Sequence, residues 1–361
     1  MSLPVMVFIL ENSMFKKALI GFWIGAACLT LACLCCPTTI LPFVGAPTLV
    51  PPRPVQALEQ SPVPSVEGTA SPENIPACVN SLAQVLHQSE IDSYPGPLTK
   101  SEFTLVTYTV TGDTISDPVY VSPLPEYLKA YQQDTSGQEK LWQFVTDIIP
   151  ADQLTLITRF VIYTDGVGNS LGAVEQPDDP HDWMLEMDIE DARDFPTLST
   201  TLVHEFGHLL TLNDAQVITD YAVFNNPDDQ QIYYQETATC STYFMFEGCS
   251  RPDSYINRFF QRFWPGIYAE WQTINTETDQ DVLNQKLDDF YQEYSDQFVS
   301  NYADTSPEED IAESFMYFIF MPKPSGANLA EKKYLFFYDY PEMVNLRDRI
   351  RAHLCNYEKP P

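Results

Sequence analysis

The sequence predicts an α+β fold: a small mixed sheet with an edge strand set over one buried helix, followed by a mostly helical C-terminal part. Three observations predict it. Segments 103–111, 154–164 and 183–189 are rich in β-branched and aromatic residues, with alternation clearest in the last. Segment 201–213, TLVHEFGHLLTLN, has apolar residues around its whole circumference, as a buried helix requires. Beyond residue 255, amphipathic stretches run almost to the C terminus.

The N-terminal region is predicted to stand apart from that fold. Lys16 and Lys17 precede a run, 18–36, without a charged residue, and Met14 opens a conventional signal start. The run is about long enough to span a bilayer, for which roughly 18–20 residues are needed. Thr30-Leu31-Ala32-Cys33 resembles a bacterial lipobox, making Cys33 a candidate for lipid attachment. An uncleaved helical anchor and a cleaved signal are the alternatives. Residues 37–76 are rich in proline, serine and threonine and read as an extended linker. The chain is therefore expected to be exported, either held at the cell surface by lipid or helix, or secreted. Its folded domain is expected to occupy 77–361.

Fifty acidic residues against 19 basic ones give a net charge of −31. Nucleic-acid binding is excluded on that ground, because phosphate contacts need a positive surface. Membrane contact is expected through the N-terminal segment only. Outside the leader the cysteines are Cys78, Cys240, Cys249 and Cys355, an even number that favours disulfides in an exported chain. Of three possible pairings, Cys240 with Cys249 closes a short loop and leaves Cys78 for Cys355. No CxxC spacing suggests that these cysteines bind metal.

Taken in order, the domain is expected to open with a helix at 79–87 and the strand at 103–111. Helices at 124–131 and 138–149 follow, then the strand at 154–164. The glycine-containing segment 165–174 lacks the lysine of a phosphate cradle and reads as a loop. In 183–189, Trp183, Leu185, Met187 and Ile189 share one face of a strand that is expected to form the sheet edge. Helices at 255–271, kinked near Pro265, and at 279–298 carry aromatic stripes best explained as core packing. The terminal helices are broken at Pro341.

The chemistry lies in His204, Glu205 and His208. Residues four apart share a helix face, so the two imidazoles can reach one metal ion while Glu205 serves as a general base on water. The chain has only five histidines, so composition alone does not favour this pairing. Gly207 costs about 1 kcal/mol of helix stability relative to alanine, which suggests close approach of another backbone. Three residues compete as the third ligand. Asp214 lacks the chain-turning glycine its spacing demands, since Thr211 stands there. Glu236 lies on a following segment. Glu309 sits in Ser306-Pro307-Glu308-Glu309, a good helix start with Ser306 as N-cap, and that role alone accounts for it. Yet Glu313 lies one turn on, and two carboxylates on an otherwise apolar face are costly to bury without a cation or strong hydrogen bonds.

HEFGH at 204–208, followed by Tyr302, Glu309, Ala312, Glu313 and Phe315, resembles the anthrax lethal factor-like metallopeptidase domain, a glutamate-ligand (gluzincin) branch of the zincins. The resemblance implies a zincin-like fold holding one zinc ion by His204, His208 and Glu309. It further implies that Glu313 orients a histidine ligand and that Tyr302 bonds the oxyanion. The gap between His208 and Glu309 is about twice that family's, so 214–299 is expected to be a helical insertion. In zinc peptidases, a strand placed as 183–189 is binds extended peptide by main-chain pairing. The expected function is extracytoplasmic zinc endopeptidase acting on a peptide or protein; the alternative is a surface-anchored binding protein that hydrolyses nothing.

Overall fold

The computed structural model describes residues 76–89, 102–167 and 170–357. Cys33, the signal segment and the linker to residue 75 lie outside the described residues. Helix α1 (Ala77–Ser89) leads to the hairpin β1 (Phe103–Thr111) and β2 (Thr114–Tyr120), then α2 (Lys129–Gln133) and α3 (Thr135–Ile148). Strands β3 (Arg159–Thr164), β4 (Gly172–Glu175) and β5 (Met184–Asp188) precede the long helix α4 (Phe195–Leu212). Next come β6 (Val217–Thr219), α5 (Tyr221–Asn225), α6 (Gln230–Thr237), β7 (Phe244–Met245) and β8 (Gly248–Ser250). The chain ends in α7 (Tyr255–Phe263), α8 (Tyr268–Ile274), α9 (Gln280–Tyr294), α10 (Pro307–Phe320), α11 (Leu329–Leu335) and α12 (Pro341–Asn356).

The fold is α+β. Five strands form one mixed sheet in the order β2-β1-β3-β5-β4, antiparallel except for the parallel pair β3 and β5. β3 lies at the centre, and Phe160 to Thr164 are all buried, as a strand covered on both faces requires. Asp194 caps α4, its carboxylate accepting from the Thr197 amide and hydroxyl, and Pro196 occupies the first turn. Asn213 closes that helix by donating to the Leu209 and Leu210 carbonyls. No helix among the described residues is long and apolar enough to cross a membrane.

Several expectations need correction. The strand at 183–189 is β5, and it is not an edge: it lies between β3 and β4. The edge on that side is β4, which begins inside the segment expected to be a loop. Its four residues are too few to display alternation, and pairing from Gly172 with Met187 to Glu175 with Met184 makes it a strand. A Cβ on Gly172 would stand 3.0 Å from the Glu186 carbonyl oxygen and 3.2 Å from Thr201, so glycine lets this edge lie down on α4. Strand β2, with Pro118 inside it, was not expected. Segment 154–164 opens as a single 3-10 turn before β3 begins, and 124–131 splits into a 3-10 turn and α2.

Segment 214–299, expected to be a helical insertion, is not purely helical. It contains a three-stranded antiparallel sheet, β6-β8-β7, and the disulfide Cys240–Cys249 braces its hairpin with Cα atoms 5.7 Å apart. The expected kinked helix at 255–271 is two helices, α7 and α8, separated around Pro265. Cys78 and Cys355 also form a disulfide, tying α1 to α12 across 277 residues.

Candidate metal centre

Two buried helices build the site. α4 carries His204, Glu205 and His208 as a local consequence of helical spacing. α10 starts where Ser306 Oγ accepts from the Glu309 amide at 3.1 Å, with Pro307 in the first turn. The helices meet at Gly207, where a Cβ would stand 3.2 Å from the Ala312 Cα and 3.3 Å from Phe315. This close approach sets Glu309 over the histidines. At its other end α10 is capped by Arg347 and Arg351 of α12, whose guanidinium groups donate to the Phe318, Ile319 and Met321 carbonyls.

His204 Nε2 lies 3.1 Å from Glu309 Oε2 and 3.1 Å from His208 Nε2, and His208 Nε2 lies 3.3 Å from the same Glu309 oxygen. Among the described residues these three side chains are the one group of His, Cys, Asp and Glu whose ligand atoms converge closely enough to hold a metal ion. On the far side of the ring, His204 Nδ1 lies 2.8 Å from Glu313 Oε1, and Glu313 Oε2 accepts from Ser300 Oγ at 2.5 Å. In the neutral tautomer that donates from Nδ1 to Glu313, the His204 Nε2 lone pair would face the centre. Tyr302 approaches the same ring, its centroid 5.7 Å from that of His204.

Burial lowers both imidazole pKa values, but the Glu309 carboxylate, joined at His204 by Glu313, overrides it and raises them. Burial acts in the opposite sense on Glu309, where His208 and His204 hold the carboxyl below its usual range. Glu205 is pushed up by burial, opposed by the two histidines and by the backbone of Val174 in β4. Glu205 is thus in contact with strand β4. Glu247, at the hairpin tip between β7 and β8, is pushed up to about 7, first by burial and then by Glu308, which accepts from Tyr243 Oη at 2.7 Å.

The rival ligands are placed elsewhere. Asp214 bonds His181 Nδ1 at 2.7 Å, and His181 Nε2 faces the Tyr221 hydroxyl at 2.8 Å. Glu236 sits near the end of α6, outside the converging group. Ser300, Glu247, Glu308 and Val174 were not foreseen. Only the Glu308-Glu309 pair was visible in the chain, since the other three reach the site by tertiary contact. No protein-family model, curated protein or solved structure matches the chain.

Proposed function

We propose that this protein is a zinc-dependent endopeptidase of zincin-like, glutamate-ligand type, exported and acting on peptide or protein substrates. The convergence of His204, His208 and Glu309 carries the reading. Tetrahedral bonds of about 2.0–2.1 Å separate neighbouring donor atoms by roughly 3.3–3.4 Å. The spacings of 3.1, 3.1 and 3.3 Å are close to that edge. Two imidazoles and one carboxylate, one protein donor short of a filled tetrahedron, are the donor set of a catalytic rather than a structural zinc site.

Bound there, zinc supplies Lewis acidity towards water and a substrate carbonyl. The chain's own groups supply the rest. Glu205 takes the proton from the attacking water and returns it to the leaving amine, and burial favours its proton-holding form. Tyr302 donates to the carbonyl oxygen as negative charge develops on it. β4 is an outer strand of the sheet and touches Glu205 through Val174, so an extended peptide that pairs with it passes beside the base.

The test is metal analysis of the purified protein, followed by incubation of the zinc-loaded form with a mixed peptide library. Zinc at one equivalent per chain, with cleavage, is expected. Zinc without cleavage of any peptide leaves a binding protein, and retention of a base at Glu205 argues against that reading. Absence of zinc binding removes the proposal.

A further inference from the structure

Behind the metal centre lies a buried ion pair that the proposed reaction does not touch. Lys333 of α11 is 1% exposed and Asp310 of α10 is wholly buried, with Nζ 2.6 Å from Asp310 Oδ2. The same oxygen accepts from Trp264 Nε1 at 2.8 Å, and Lys333 Nζ stands 3.8 Å from the centroid of the Phe298 ring. Trp264 and Phe298 come from the insertion, and Lys333 from the C-terminal helices. Three parts of the chain therefore meet at one carboxylate.

Such a pair is a poor way to gain stability. Desolvating both charges offsets most of their attraction, and apolar groups of equal volume are usually as good or better. What an ion pair does supply is direction. Asp310 follows Glu309 by about 100° of helical rotation, so a hold on Asp310 fixes the azimuth at which Glu309 leaves α10. Glu309 reaches its oxygen roughly 6 Å from the helix axis, and a rotation of about 10° would move that oxygen by about 1 Å. Metal ligands tolerate only about 0.2 Å.

We infer that Lys333 and Trp264 are positioning residues for the metal centre, gripping Asp310 from opposite parts of the chain so that Glu309 is aimed at His204 and His208. The inference rests on the metal-binding reading above. It also gives the insertion a task, since Trp264 lies within it.

Zinc dissociation constants, by competition with a chromophoric chelator, and melting temperatures of the metal-free protein are measured on the purified full chain. Wild type is compared with Trp264→Phe and with the double variant Lys333→Met, Asp310→Asn. The double variant fills the space without charge, so its metal-free melting temperature is expected to hold while its zinc Kd rises about 10-fold or more. Trp264→Phe loses the donor and also shrinks a wholly buried ring, so its melting temperature is expected to fall, and its Kd, read well below that transition, to rise by about 3-fold or more. If the double variant does not fold, the Kd of folded Trp264→Phe decides. Unchanged Kd in the folded variants, or affinity of the double variant that falls only in step with melting temperature, overturns the inference while leaving zinc binding intact. A wild type that binds no zinc removes the functional reading itself.

Discussion

His204 Nδ1 and Glu313 Oε1 lie 2.8 Å apart, so the ring is held from behind while its Nε2 faces Glu309 and His208. Partners of this kind fix the tautomer and raise ligand basicity, and losing one commonly costs about 10–100-fold in metal affinity. Glu313→Gln is therefore expected to weaken zinc binding by that order without unfolding the protein. Ser300→Ala, which removes only the bond to Glu313 Oε2, should cost less. Chelator competition measures both, and equal affinity in Glu313→Gln would show that the ring needs no such support.

In the proposed reaction Glu205 and Tyr302 act on substrate and not as ligands, so their loss should separate turnover from metal content. Glu205→Gln is expected to keep zinc and lower kcat by about 10²–10⁴-fold. Tyr302→Phe should lower kcat by about 10²–10³-fold, again at full zinc occupancy. Parallel loss of zinc in Tyr302→Phe would place that residue in the wrong role.

Gly207 is where α4 and α10 touch, and the nearest atoms are the backbone of Ala312, which cannot swing aside. Gly207→Val must push the helices apart, at a cost of about 1–3 kcal/mol for overpacking. Because α4 carries His204 and His208 and α10 carries Glu309, the proposed zinc affinity should fall with stability. Calorimetry and zinc titration on one sample check this, and a variant as stable as wild type would disprove the close approach.

Asp304 is 3% exposed, and its carboxyl is pushed up to about 8, first by burial and then by Asp288 and Asp310. The native state therefore favours the protonated form, whereas the unfolded chain ionises near 3.8. The folded state binds the extra proton, so this contribution is present in full below about pH 4 and is lost as pH rises towards about 8. Asp304→Asn keeps a neutral side chain at all pH values. It should raise the melting temperature by about 4 °C or more at pH 8 and leave it nearly unchanged at pH 4. An equal shift at both pH values would contradict a buried, proton-holding Asp304.

Much of the architecture was legible because it is local. The strand at 103–111 has the predicted limits, the break at Pro341 lies where the ring forbids continuation, and Ser306-Pro307 opens a helix as its residue types dictate. Both cysteine pairs form as parity and spacing suggested. The edge strand was misplaced, because alternation in 183–189 reports burial on one face and says nothing of what lies alongside. Hydrogen-bond partners decide that, and β4 announces itself by neither length nor pattern.

By itself the sequence determined that His204 and His208 share one helix face with Glu205 beside them, since 3.6 residues per turn leave no other arrangement. It also narrowed the third group to Asp214, Glu236 or Glu309 without choosing from spacing alone. The tertiary structure brings in Glu309, 105 positions from His204, through a contact between Gly207 and Ala312 that no local pattern reveals. Helix periodicity is a short-range property of the backbone. Which two helices pack, and at what rotation, depends on side chains scattered over the whole chain.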